Sequence, residues 1–235
     1  MFFLATWFIY ILVGSSSDRV KLIDLKSGSS THELRGHVKS VLTCQWSSRE
    51  PHILATGGAD GQVILWDIRS SKSYLTSLGK TSHYAAHEGY VNGLTYTAGG
   101  ETLISFSTNH KLKSWDTQTG RNNKVHFRKV PNKRAKTVQL SEGWGVVCVP
   151  SDSSIKCLDI KTGEVVNSLS GHYNSVNCCT LHPDYPELYS GGNDRVVLIW
   201  SAYRDAAYTQ HLEINAKIKP NYKDDDWSST DEDEG

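Results

Sequence analysis

The sequence predicts an all-β chain built from four-stranded units repeated along its length, and three observations carry that reading. The pair Gly36-His37 returns as Gly171-His172 after 135 residues, three periods of 45. Trp66-Asp67 and Trp115-Asp116 follow His37 and His87 by 29 and 28 residues, and Trp200 follows His172 by 28. Between each His and its Trp lie two short alternating apolar runs around a Gly/Asn/Asp turn, as in Ile53-Leu54-Ala55-Thr56, residues 57–61 and Val63–Trp66. That pattern is strand, hairpin, strand. Repeats of this length with Gly-His and Trp-Asp markers form the blades of a β-propeller. Composition agrees, with aromatics at 10% and 19 glycines, a profile of short strands and turns.

Taken in order, Met1–Val13 (MFFLATWFIYILV) is almost wholly apolar. At 13 residues it is too short to cross a bilayer, it lacks a basic leading segment, and the following Gly14-Ser15-Ser16-Ser17 is a poor cleavage site. A buried strand is expected there, with no membrane association. A partial first blade spans 1–35, its pattern starting near residue 9. Full units follow at 36–80, 86–124 and 125–170, the last of them divergent, and a terminal unit at 171–204. Residues 76–86 read as an inter-blade loop. The chain thus holds a little under five blades. From 205 to 235 the apolar alternation fades into a polar, then acidic tail, expected to be disordered from about Ala216.

In WD-repeat propellers a hydrogen-bonded tetrad of His, Ser/Thr, Asp and Trp ties three strands of a blade together. By spacing, two sets are complete here: His37, Thr56, Asp60 and Trp66, and His172, Ser190, Asp194 and Trp200. A His bridging a carboxylate and a hydroxyl, with the indole N–H on that hydroxyl, leaves no buried polar atom unpaired. The third unit shows Asn109 at the Asp position. The fourth loses the His, the hydroxyl and the Trp, with Cys148 and Leu158 in their place. These His/Asp/Ser sets are structural, because nucleophilic catalysis needs an exposed nucleophile beside an oxyanion hole. No competing catalytic or nucleotide-binding motif occurs, so no enzyme activity and no cofactor are expected.

Formal charge is zero, from 25 basic and 25 acidic residues. Lys223–Gly235 holds seven acids and one base, which leaves residues 1–222 with 24 bases against 18 acids, a net of +6. This excess is too mild for phosphate-backbone binding, and no direct nucleic-acid contact is expected. The basic cluster Lys124, Arg128, Lys129, Lys133, Arg134 and Lys136 reads as a solvated strand edge and loop. The five cysteines, Cys44, Cys148, Cys157, Cys178 and Cys179, are odd in number and lack C-x-x-C spacing. They read as reduced core residues of an intracellular protein, with no metal site.

Two resemblances bear on function. Trp66-Asp67-Ile68-Arg69 has the W-D-x-R form of receptors that dock on the large damaged-DNA-binding adaptor of cullin-4 ubiquitin ligases. It implies Trp66, Asp67 and Arg69 as adaptor-binding residues, with a planar guanidinium placed at a blade rim to meet carboxylates or carbonyls. A second resemblance rests on Leu25–Ser29, Leu34–His37, Ile53–Arg69, Ala86-His87, Val91–Leu94, Gly171–Tyr189 and Trp227–Glu232. In these segments the chain resembles the Cockayne syndrome group A family, seven-bladed substrate receptors of a cullin-4 RING ligase in transcription-coupled nucleotide excision repair. The resemblance covers residues from about 11 to 235. It implies a nuclear location, the adaptor, cullin-4 and the RING subunit as partners, and stalled-transcription and repair proteins as substrates. Relative to that family, roughly two blades and a helical amino-terminal segment are missing, which points to a truncated gene model or a splice form.

Three readings follow: a ligase substrate receptor, a WD-repeat scaffold of another nuclear complex such as a chromatin or RNA-processing assembly, and an enzyme, which the absence of a catalytic set disfavours. A non-functional fragment is the further alternative. In the tail, Ser228 and Ser229 each precede an acid by three residues, Asp231 and Glu232, the pattern that acidophilic kinases favour.

Overall fold

The computed structural model describes residues 3–7, 10–14, 18–70, 74–79, 86–132 and 138–202, with side chains from residue 18 onward. The chain divides into two compact units, Met1–Trp200 and Ser201–Gly235. In the second, only Ser201 and Ala202 are described, so Ser228, Ser229 and the expected disordered tail lie outside the described residues.

The described residues form strands and no helix, arranged as five antiparallel sheets in which each strand pairs with its neighbours in sequence. The first contains β1 (Phe3–Trp7), β2 (Tyr10–Gly14), β3 (Arg19–Asp24) and β4 (Ser30–Arg35). The apolar leader is therefore two strands and not one, paired from Phe3↔Gly14 to Trp7↔Tyr10. A segment of 13 residues exceeds the usual strand of about 3–10 residues, and folding back pairs the backbone groups within the segment. The first blade thus has four strands, more than the partial unit expected from its sequence pattern.

The second sheet contains β5 (Val41–Trp46), β6 (Ile53–Gly58), β7 (Val63–Asp67) and β8 (Tyr74–Ser77). The third has three strands, β9 (Val91–Tyr96), β10 (Thr102–Ser107) and β11 (Leu112–Asp116), with an isolated bridge from Trp115 to Asn122. Beyond it, residues 123–132 run without regular pairing, tied by Arg128 N–H to the Gly163 carbonyl and by Val130 N–H to the His110 carbonyl. The fourth sheet contains β12 (Ser141–Gly143), β13 (Val146–Ser151), β14 (Ser154–Asp159) and β15 (Val165–Ser170), so its strands begin well after residue 125. The fifth has β16 (Val176–Leu181), β17 (Glu187–Gly192) and β18 (Val197–Ser201).

Within Met1–Trp200 an apolar core fills each junction between successive sheets. Val20, Leu22 and Leu34 of the first sheet pack with Leu54, Ile64 and Trp66 of the second. Ala55, Val63 and Leu65 on the other face of the second sheet pack with Val91, Leu103 and Trp115 of the third. Ile104, Phe106 and Leu112 meet Val147, Val149 and Leu158, and Cys148, Ile155 and Cys157 meet Val176, Cys179 and Leu188. A strand covered on both faces carries apolar side chains at consecutive positions, which explains the unbroken Val-Ile-Leu-Trp of β7. In the fifth sheet the alternation returns: Val197 and Ile199 of β18 are 72% and 61% exposed, while Trp200 packs toward the fourth.

Candidate protein-docking site

At one end of the blades the tetrads close. In the second blade His37 Nδ1 lies 3.1 and 3.0 Å from the Asp60 carboxylate oxygens, and its Nε2 lies 2.7 Å from Thr56 Oγ1. Trp66 Nε1–H donates to the same Thr56 Oγ1 over 2.8 Å. One proton arrangement satisfies every atom: the indole donates to the hydroxyl, the hydroxyl to His Nε2, and His Nδ1–H to the carboxylate. The fifth blade repeats this with His172 to Asp194 at 2.7 Å, His172 to Ser190 at 2.8 Å and Trp200 to Ser190 at 2.8 Å. Burial pushes the Asp60 carboxyl up, but the His37 hydrogen bond and the amides of Gln62 and Val38 outweigh it, so it ends below the usual carboxylate value. Asp194 is lowered by the same balance through His172, Val196 and Tyr173.

The third blade keeps three members. His87 Nε2 lies 2.7 Å from Ser105 Oγ, and Trp115 Nε1–H donates to that oxygen over 2.8 Å. Asn109 does not complete the set, since His87 Nδ1 and Asn109 Oδ1 are both buried without a hydrogen-bond partner. Burial, helped by nearby Lys113 and Lys111, pushes His87 down to about 3. In the fourth blade the hydroxyl position corrects the sequence reading. Register pairs Val147 with Leu158 and Val149 with Lys156, which places Val149, not Cys148, where Thr56 stands. The β13–β14 turn is tighter than that of β6–β7, so counting ten residues back from the Trp position lands one residue short and on the opposite face.

The backbone N–H groups of Val38 and Tyr173, the residues that follow His37 and His172, donate to Asp60 and Asp194. Their side chains are thereby turned outward, 73% and 94% exposed, and Tyr90 is exposed at the same end of the third blade. Sequence reasoning missed these residues. For Val38 and Tyr173 the signal was the position after the tetrad His, which repeat spacing locates but whose exposure only the folded turn reveals; Tyr90 lies three residues after His87 and carries no such mark.

The opposite end of the blades carries Asp67 and Arg69. Asp67 Oδ1 accepts the Arg69 backbone N–H and Nε–H, each at 3.0 Å, and Oδ2 accepts from Nη2 at 2.7 Å. The guanidinium holds Asp67 below the usual carboxylate range, and the carboxylate raises Arg69 in turn. The same turn follows the third strand of other blades, where Asp24 binds the N–H groups of Lys26 and Ser27, Asp116 those of Gln118 and Thr119, and Asp159 those of Lys161 and Thr162. Arg69 is thus the second-blade member of a rim position filled elsewhere by Lys26, Gln118 and Lys161. Trp66, grouped with Asp67 and Arg69 by the W-D-x-R resemblance, is buried and spends its N–H on Thr56. It anchors the strand end and presents no surface of its own, because the side-chain alternation that turns Asp67 outward turns Trp66 inward. Of the basic cluster, Lys124, Arg128 and Lys129 are exposed, and Arg128 pairs with Glu164; Lys133, Arg134 and Lys136 lie outside the described residues.

The chain is similar to several known proteins. The computationally designed Ika8 protein superposes with a TM-score of 0.67 at 23% identity, covering 84% of this chain and 57% of that one, a likeness of fold. WD repeat-containing protein ATCSA-1 of Arabidopsis thaliana is 27% identical over 265 residues, covering 81% of this chain and 59% of its own length. The U3 small nucleolar RNA-associated protein 15 homolog of Gallus gallus is 27% identical over 193 residues, covering 81% of this chain and 35% of its own. Periodic tryptophan protein 2 homolog of Caenorhabditis elegans is 23% identical over 210 residues, 87% of this chain and 22% of its own. The chain spans at most 59% of these relatives. Residues 163–201 match the family model for the WD domain, G-beta repeat. Residues 11–155, more than half of the chain, match the model described as Nucleolar protein 10-like, N-terminal domain, and with the blades and tetrads described above the chain belongs to that family of WD-repeat β-propellers.

Proposed function

We propose that this chain is a non-catalytic WD-repeat scaffold that holds protein partners together in a nuclear multiprotein complex. The observation that carries the reading is that the His, Ser/Thr, Asp and Trp sets are consumed inside the blades, while each blade end offers side chains suited to docking. Val38, Tyr90 and Tyr173 stand at one end and the Asp67–Arg69 fork at the other. Exposed aromatics and arginines of this kind supply much of the binding energy at protein interfaces. The nucleolar and small nucleolar RNA-associated names of the family and its relatives support a nuclear location and an RNA-processing or comparable assembly.

A second reading is favoured by the likeness to ATCSA-1 and by the exposed Arg69. In it the chain is the substrate receptor of a cullin-4 RING ubiquitin ligase acting in transcription-coupled repair, with the damaged-DNA-binding adaptor docked at Asp67 and Arg69. Stalled-transcription and repair proteins would be presented from the other end, and ubiquitin transfer would follow from proximity.

Affinity capture from nuclear extract separates the two, using this chain beside a seven-bladed relative, each with and without Arg69→Ala. Recovery of the adaptor and cullin-4, weakened by Arg69→Ala, establishes the receptor. Recovery of another nuclear assembly without them establishes the scaffold. Capture by the seven-bladed relative alone makes this chain a fragment without the function.

A further inference from the structure

The fourth blade, without its tetrad, builds the core facing the fifth blade around sulfur. Cys148 of β13 and Cys157 of β14 are direct partners in register, their Sγ atoms 3.0 Å apart. They are 1% and 9% exposed and pack with Ile155, Val176, Cys179 and Leu188. All five cysteines are free thiols.

The pair occupies a particular kind of ladder position. Along an antiparallel pair, hydrogen-bonded and non-hydrogen-bonded partners alternate. Pro150, opposite Ile155, has no N–H and so belongs to a non-hydrogen-bonded pair. Cys148 is two residues from Pro150 and shares its parity. Partners at such positions stand about 4.5 Å apart at Cα, inside the roughly 4.4–6.8 Å that a disulfide spans. The register places the two cysteines at a backbone separation that a disulfide can span, with their sulfurs 3.0 Å apart against the about 2.05 Å of the bond.

We propose that Cys148 and Cys157 are a modification site, a reversible cross-strand disulfide formed by reaction with a hydroperoxide. The Cys157 thiolate attacks a peroxide oxygen, the O–O bond breaks, and a sulfenic acid forms as water or an alcohol leaves. The Cys148 sulfur then attacks the Cys157 sulfur, the S–O bond breaks, and the departing hydroxide leaves as water with the Cys148 proton. With hydrogen peroxide, two thiols and one peroxide give one disulfide and two waters; the cysteines are oxidised and the peroxide is reduced. Cys157 takes the nucleophile's role because it is the more accessible of the two, and its contact with the Cys148 sulfur holds its thiol below the ordinary value. Cys179 does not compete, since its thiol donates to the Cys148 carbonyl over 3.4 Å and burial pushes its ionisation up. The Cα separation stands at the short limit of the disulfide range, so a small dithiol should reduce the bond.

Lys156 lies between the two cysteines, so trypsin separates them and a bond rejoins two peptides. The whole chain is treated with hydrogen peroxide, alkylated, digested without reduction and analysed by mass spectrometry. The expected result is a Cys148–Cys157 linked pair lacking two hydrogens, returned to free thiols by dithiothreitol. Cys148→Ala and Cys157→Ala each abolish the link, and Cys179→Ala leaves it in place. The wild-type measurement stands without any variant. Alkylated Cys148 and Cys157 after peroxide treatment, a sulfinic acid at Cys157, or a bond to Cys178 or Cys179 instead would each overturn the proposal.

Discussion

In the two complete tetrads a single hydroxyl oxygen serves two rings, and the cost of losing it follows from that sharing. Thr56→Ala leaves His37 Nε2 and Trp66 Nε1–H buried and unpaired. It should destabilise the chain by about 2–4 kcal/mol in urea unfolding, while Thr56→Ser stays within about 1 kcal/mol of wild type. The third blade shows the reverse case. His87, held down to about 3 against an ordinary 6.5, is neutral when folded but binds a proton when unfolded between those values. Stability should therefore fall as pH drops from about 6.5 toward 3. Asp60 and Asp194, lowered from 3.8, contribute stability that is present above that value and lost on further acidification. Asn109→Asp replaces the amide that leaves His87 Nδ1 unpaired with a charged carboxylate acceptor, as in the two complete tetrads. The expected outcome is a gain of about 1 kcal/mol at neutral pH and a flatter pH profile below 6.5, read from thermal unfolding across a buffer series.

At the scale of elements, the turns at the two blade ends have different tolerances. The tetrad end is tight: a Cβ added at Gly58 would lie 2.6 Å from His37 Nδ1 and 2.7 Å from Asp60 Oδ1. Gly58→Ala should cost about 1–3 kcal/mol, because both atoms are pinned by the network. The opposite end is loose. Among the described residues Arg69 bonds the Asp67 of its own turn, and the turn's backbone hydrogen bond to Asp67 does not need the side chain. Arg69→Ala should leave the melting temperature unchanged, so lost partner capture by this variant reports on docking and not on folding. A lowered melting temperature would remove that interpretation.

For Met1–Trp200 as a whole, stability is distributed unevenly across the blades. The middle blades are buried on both faces, whereas β18 of the fifth leaves Val197 and Ile199 open. With one packed face, the fifth blade has less apolar burial opposing its local opening. Hydrogen exchange should reach the amides of β17 and β18 before those of β6 and β7. Equal protection in the two blades would show that the open face is covered in solution.

The sequence by itself determined the repeat, its period and the membership of the two complete tetrads, because a hydrogen-bonded set spanning three strands demands fixed residue types at fixed intervals. Gly36-His37 and Trp66, or Gly171-His172 and Trp200, announce a blade wherever it sits. Tertiary structure decided what depends on register and on neighbours. The apolar leader folded back into β1 and β2, a tighter turn moved the hydroxyl position of the fourth blade from Cys148 to Val149, and Cys148 came to face Cys157. Which residues face outward was settled in the same way: Trp66 is inside, and Asp67, Arg69, Val38 and Tyr173 reach the rims. These outcomes turn on which side of a strand a residue occupies and on what the adjacent sheet covers, and a one-residue change in a turn reverses the first without altering the composition that signals the strand.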